Sequence, residues 1–170
     1  MKTIKVVSDT HFNHDKIREW SRTQFKSSLE MDEYIIKKWN EEIKPTDRVY
    51  HLGDFAFGKY TDLVYIESII KRLNGNITLI LGNHDTAQRL RELYVKYFKC
   101  LGSLTIGKYY FSHEPLHFEA INPGQLRSDG RQATINIHGH LHNGNFCSDN
   151  HINCCIDVVG FDNMVTTFEV

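Results

Sequence analysis

Apolar runs of strand character recur along this 170-residue chain, and each gives way at once to a short polar segment built from Asp, His, Asn and Gly. Ile4 to Val7 leads into Asp9-x-His11, Val49 to Leu52 into Gly53-Asp54, Ile77 to Leu81 into Gly82-Asn83-His84-Asp85, and Ile135 to Ile137 into Gly139-His140-x-His142. Tyr109 to Phe111 precedes a single His113. Segments so far apart in sequence share a site only if their strands lie side by side. Ends of neighbouring strands, where a sheet opens into loops, are where α/β folds place ligand sites.

The donors are carboxylate, imidazole and amide, a set that suits a pair of divalent cations. Two such ions about 3.5–4 Å apart repel each other unless an anion lies between them, and Asp54 is the candidate bridge. Mixed nitrogen and oxygen donors fit Mn, Fe, Zn or Ni. No thiolate falls in any of these segments, which argues against a structural zinc site. Ten histidines occur in the chain, several times ordinary usage, and five of them belong to the segments above, so most of the excess is chemistry.

In this order the segments resemble the signature of the calcineurin-like metallophosphoesterase superfamily: D-x-H, GD, GNH-D/E, an isolated H, then GH-x-H. The resemblance covers Asp9 to His142 and every piece is present, whereas any one piece alone is weak. It implies a four-layer α/β/β/α sandwich of two mixed sheets flanked by helices. It implies one metal on Asp9, His11 and His142, a second on Asn83, His113 and His140, and Asp54 between them. His84 is implied to be the catalytic residue that stabilises charge on the phosphoryl group or protonates the leaving oxygen, with a hydroxide bridging the metals as nucleophile. Manganese is the favoured metal, with iron, zinc or nickel as alternatives. The expected substrate is a phosphate ester. The small size is similar to bacterial and phage members, which favours a phosphodiester, nucleotide-type and cyclic esters included. A phosphomonoesterase acting on protein or small molecules is the alternative, and a non-catalytic metal-binding scaffold is disfavoured because every ligand and His84 are retained. One departure stands out. Many members carry an acid three positions after the bridging Asp, and here that position is Phe57, so assistance to His84 is expected from Asp85 or not at all.

Length and composition bound the rest. With 41% hydrophobic and 12% aromatic residues, the chain fills one core, a single domain over residues 1–170. An amidohydrolase barrel, which also gathers His and Asp at strand ends, needs about 250 residues. An all-helical phosphohydrolase built on His84-Asp85 is contradicted by the strand-like run before it. A net charge of −1, with acids and bases interspersed, gives no strong signal for long nucleic acid. Lys5 interrupts the first apolar stretch and no apolar run approaches membrane-spanning length, so the expectation is a cytoplasmic protein without a membrane partner. Cys100, Cys147, Cys154 and Cys155 lack paired metal-site spacing and read as free core thiols.

Between the polar segments, periodicity predicts a short helix around Asp15 to Trp20. A capping box at Ser27 and Glu30 opens a longer helix with Leu29, Ile35, Ile36 and Trp39 inward, and further helices follow at Thr61 to Leu73 and Arg89 to Phe98. Gly107-Lys108 reads as a hairpin turn, after which a second, largely antiparallel sheet is expected. His51 and His138 read as hydrogen-bonded core histidines and His151 as exposed. His14, three residues past His11, is a candidate substrate contact. Arg127 and Arg131, flanking Ser128-Asp129-Gly130, are candidate phosphate contacts, weighed equally with a solvated loop. Phe12, Trp20 and Phe25 either stack a base or cover the core edge, and the core is favoured.

Overall fold

The structure is a computed structural model that describes residues 2–57, 61–116, 135–144 and 148–170. The first half alternates strand and helix: β1 (Thr3–Val7), α1 (Asp15–Trp20), α2 (Ser28–Glu42), β2 (Arg48–His51), α3 (Leu63–Ile70), β3 (Asn76–Ile80), α4 (Gln88–Tyr94) and β4 (Lys99–Leu101). The second half adds β5 (Leu104–Ile106), β6 (Tyr109–Phe111), β7 (Ile135–His138), β8 (His151–Asn153), α5 (Ile156–Val159) and β9 (Thr166–Glu169). Two mixed sheets result, ordered β4-β3-β2-β1-β9 and β5-β6-β7-β8.

Side chains alternate across the strands of the first sheet, and the alternation assigns each to one of two cores. Ile4, Val6, Leu52 and Ile80 pack with Phe111, Ile137, Cys154 and Phe168 between the sheets. Val7, Val49 and Leu79 face the other way, into a cluster that takes buried residues from all five described helices, among them Ile17, Trp39, Ile66, Leu93 and Ile156. The expected architecture of two mixed sheets with helices is therefore the one observed.

Local chemistry explains the helix ends. Ser27 caps α2 by accepting from the Glu30 amide at 3.1 Å, while the Glu30 carboxylate accepts from the Lys26 amide at 2.6 Å. Met31, Ile35, Ile36 and Trp39 form the buried stripe. Leu29 does not join it. It lies two residues before Met31, about 200° around the helix, and is 57% exposed. Asp62 caps α3, which ends at Ile70, three residues short of expectation, and Gly75 at φ 101° turns the chain into β3.

The hairpin at Gly107-Lys108 forms as predicted, pairing Leu104 with Phe111. The second sheet is not largely antiparallel, however, since β6, β7 and β8 run parallel. Parallel neighbours require long connections, and residues 112–134 and 139–150 are long enough to supply them. Parallel pairing also aligns Val7 with His51, His51 with Leu79, Phe111 with Ile137, and His138 with Asn153. An isolated bridge between Ser8 and Cys155 joins the two sheets at that edge. All the polar segments leave from it.

Candidate metal centre

Backbone hydrogen bonds lock the loops beyond the strand ends together. The Asp9 amide donates to the Gly53 carbonyl (3.0 Å), the His11 amide to the Asp54 carbonyl (2.9 Å), and the Gly139 amide to the His113 carbonyl (2.9 Å). Among the described residues five non-glycine residues have positive φ, and four of them carry the expected donors: Asp9 (60°), His11 (49°), Asp54 (52°) and His140 (67°). Each such residue costs about 1–3 kcal/mol, and such strain collects at functional sites. Gly53, at φ 101°, passes so close to its neighbours that a Cβ would lie 2.7 Å from both the Gly82 amide nitrogen and His113 Nδ1. A Cβ on Gly82 would run into the Asp54 carboxylate, and one on Gly139 into Asp9 and Ser8. The motif glycines are the space the carboxylates occupy.

Asp54 stands at the centre. Its Oδ2 is 3.6 Å from His11 Nε2, 3.5 Å from His113 Nε2 and 3.9 Å from His84 Nε2, while Oδ1 accepts from the His84 amide at 2.9 Å. On one side of it, Asn83 Oδ1 lies 2.9 Å from His113 Nε2 and 3.1 Å from His140 Nδ1, and the two ring nitrogens are 3.2 Å apart. On the other side Asp9, His11 and Asp54 bring donor atoms within 4.8 Å of one another, and His142 Nε2 is 3.9 Å from Asp9 Oδ1. Asp9 also accepts the His140 amide at 3.0 and 3.1 Å, tying the two sides together.

The donor chemistry fits divalent cations. His113 Nδ1 contacts the Leu52 carbonyl at 2.9 Å and must carry the proton there, which leaves a lone pair on Nε2 facing the carbonyl oxygen of Asn83. Two acceptors aimed at one point suit a cation. His11 is buried, and neither ring nitrogen has a hydrogen-bond partner. Burial holds its pKa well below the usual imidazole range, with the Arg22 charge adding to the effect, so the ring is neutral and ready to donate a lone pair. Burial raises the Asp9 carboxyl, against the pull of His113.

A layer behind these donors was not legible in the sequence motifs. Asp157, at the start of α5, has Oδ2 at 2.7 Å from His142 Nδ1, which therefore carries the proton and turns Nε2 toward Asp9. Arg22 is fully buried and donates to the carbonyls of Asp9 (2.6 Å) and Thr10 (2.8 Å) and to Asp157 (2.7 Å). One guanidinium thus clamps the first loop to the carboxylate that orients His142. The available signal was positional: Asp157 follows β8 much as the other acidic groups follow their strands.

Asp85 does not assist His84. Its carboxylate accepts from the amides of Asp54 (2.7 Å), Phe55 (3.1 Å) and Gly82 (2.9 Å) and from the Tyr94 hydroxyl (3.2 Å), and so shapes the Asp54 loop instead. The neighbour of His84 is aromatic. Phe57 lies 4.9 Å from its ring and stacks on His14 at 3.6 Å with planes 3° apart. Burial, reinforced by His84, lowers His14 to a pKa of about 4.

His11, His14, His84, His140 and His142, with Asp54 and Asn83, line a cleft of about 290 Å³ together with Ile17, Trp20 and Ser21. Phe12 and Phe25 are core residues, as favoured, but Trp20 is 76% exposed. His51 is a core histidine, bonded to Thr10 and Gly53 and lowered to about 3 by burial. His138 is likewise buried, its Nδ1 at 2.8 Å from the Gly139 carbonyl. His151 is buried rather than exposed, because its ring nitrogens bridge Ser148 (2.6 Å) and the Leu116 carbonyl (2.9 Å). Cys100, Cys154 and Cys155 are free thiols, and Cys155 Sγ lies 3.5 Å from His142 Nδ1. Arg127, Arg131 and Cys147 lie outside the described residues.

A family model described as the calcineurin-like phosphoesterase superfamily domain matches residues 1–155. The chain belongs to that superfamily. Its members are metal-dependent phosphoesterases. Similar curated proteins include an uncharacterized protein of Methanocaldococcus jannaschii, 39% identical over 85 residues (50% of this chain, 48% of that protein). The Gene 66 protein of Mycobacterium phage D29 is 29% identical over 104 residues (55% of this chain, 49% of that protein). The matches thus span about half the length of these relatives. Among solved structures, a protein of unknown function from Aquifex aeolicus superposes with TM-score 0.72 at 26% identity, covering 98% of this chain and 96% of its own. Nuclease MPE of Pseudomonas putida gives TM-score 0.50 at 20% identity, covering 81% and 60%, a likeness of fold. Among the described residues no helix is long and apolar enough to cross a membrane.

Proposed function

We propose that this phosphoesterase is a phosphodiesterase with a dinuclear centre, in which Asp54 is shared by two metals. The observation that carries the reading is the approach of His11 Nε2 and His113 Nε2 to the same carboxylate oxygen, Asp54 Oδ2, at 3.6 and 3.5 Å from opposite donor groups. Asp9, His11 and His142 would hold one ion and Asn83, His113 and His140 the other, with manganese the first candidate for such a mixed nitrogen and oxygen set. When bound, the ions supply Lewis acidity toward a phosphoryl oxygen and lower the pKa of water.

The chain's own residues do the rest. Asp54 carries the negative charge that lets two cations sit close, and Asp157 keeps the His142 proton on Nδ1 so that Nε2 faces inward. His84 is 37% exposed on the cleft wall with Nε2 turned toward Asp54, a position from which its ring can donate to a leaving oxygen. Phe57 lies against the flank of that ring and stacks on His14. A diester favours this cleft over a monoester for two reasons. It carries one less negative charge, and the described lining is imidazole, amide and carboxylate rather than guanidinium. It also has a second organic group, for which Ile17 and Trp20 offer an apolar wall.

Assay of the manganese-loaded protein on bis-nitrophenyl phosphate, nitrophenyl phosphate and a 2′,3′-cyclic nucleotide tests the reading. Diester kcat/KM should exceed that for the monoester by about tenfold or more, worth about 1.4 kcal/mol of transition-state stabilisation. The reverse order would make it a phosphomonoesterase, and no turnover of any ester would favour a scaffold.

A further inference from the structure

We propose that Trp20 is a stacking platform for a planar ring, a nucleobase in a nucleotide-type diester, held at the mouth of the cleft. This deepens the phosphodiesterase reading and rests on it. Trp20 ends α1 and is 76% exposed, although the same helix seats Ile17 in the core one turn earlier. Residues three apart share a helix face, and these two line the same cleft as His84 and Asp54. A large aromatic surface left in water beside a polar reaction site has hydrophobic and dispersion energy still to gain from a flat partner.

The backbone that carries the indole is also anchored. The next residue, Ser21, returns its amide to the Ile17 carbonyl at 3.0 Å, and Arg22 is the buried guanidinium that grips the carbonyls of Asp9 and Thr10. The backbone carrying Trp20 is therefore tied within two residues to the backbone of Asp9, and a ring stacked on the indole is registered against the phosphate position. A cleft of about 290 Å³ lies at the small end of ligand pockets, which suits one nucleotide unit rather than an extended strand.

The chain's two tryptophans provide the test. Trp39 is fully buried, with Nε1 donating to the Asn74 carbonyl at 2.8 Å, so quenching by a small ligand reports on Trp20. Adenosine monophosphate should quench the emission of the metal-loaded protein saturably, well below the concentration at which ribose 5-phosphate binds, and Trp20→Phe should abolish the change. In turnover, Trp20→Ala should raise KM for a dinucleotide diester by roughly ten- to a hundredfold, with Trp20→Phe restoring most of it. The loss should be much smaller for an alkyl diester. Equal affinity for adenosine monophosphate and ribose 5-phosphate, or equal losses on the aromatic and alkyl diesters, would overturn the proposal. The quenching titration needs no turnover, so it decides the role of Trp20 independently of whether diesters are hydrolysed. Hydrolysis of both diesters with Trp20 indifferent would sink the platform and leave the phosphodiesterase reading standing.

Discussion

His84 and His142 lie in one cleft but depend on different neighbours. His84 is held through its amide, which donates to Asp54, and its ring has Phe57 beside it. His84→Ala is therefore expected to keep both metals and to lose about 10²–10⁴ in kcat, less for a nitrophenolate leaving group that needs little protonation. A fall in metal content in that variant would make His84 a ligand instead. His142 depends on Asp157, which also neutralises a fully buried guanidinium. Asp157→Asn should weaken metal affinity by about 10–100-fold. It should also cost about 3–5 kcal/mol of stability, because Arg22 is left buried without its anion. Unfolding in urea together with metal titration of the same variant measures both. If stability falls and metal affinity does not, Asp157 serves the fold alone. The residues of the motifs were legible because each repeats a chemistry at a fixed offset from a strand. Arg22 and Asp157 were not, since a lone Arg on a helix end and a lone Asp after a strand carry no pattern until they are seen 2.7 Å apart.

At the scale of elements, capping chemistry and hydrophobic period located most helices, and the errors have physical reasons. The stripe of α2 was legible from Ile35, Ile36 and Trp39, whereas Leu29 was misplaced because one apolar residue in a first turn does not reveal which way the helix faces. Strand existence in the second half was also legible, but pairing direction was not. Direction depends on whether a connection returns as a hairpin or crosses over, and only Gly107-Lys108 announces a hairpin. The cap of α2 gives a direct test of the local account. Ser27→Ala removes the acceptor for the Glu30 amide and should lower stability by about 1 kcal/mol with no change in kcat, since α2 lies outside the cleft. A change in kcat without a change in the urea midpoint would show that α2 is coupled to the site in a way the hydrogen bonds do not reveal.

For the whole molecule, a buried carboxyl links the helical layer to pH. Asp32 is fully buried in α2, accepts from the Asn13 amide and the Tyr65 hydroxyl at 3.0 Å each, and is raised by burial to a pKa of about 7. Between about pH 4, where an unfolded Asp titrates, and pH 7 the folded chain holds a proton the unfolded chain has lost. Its contribution to stability is therefore full below that window, declines as pH rises through it, and is level above it. Tm should fall between pH 5 and pH 8, and Asp32→Asn, which keeps an acceptor but no charge, should reduce the fall. Equal slopes in both proteins would mean that Asp32 is already ionised at pH 5. The central claim is that the two sheets bring two cation sites together on Asp54. The initial rate of diester hydrolysis, measured as chelator-stripped protein is titrated with manganese, tests this most directly. Two sites sharing one carboxylate predict a rate that stays low through the first equivalent and saturates at two per chain, whereas saturation at one equivalent, or full activity without metal, would contradict the account.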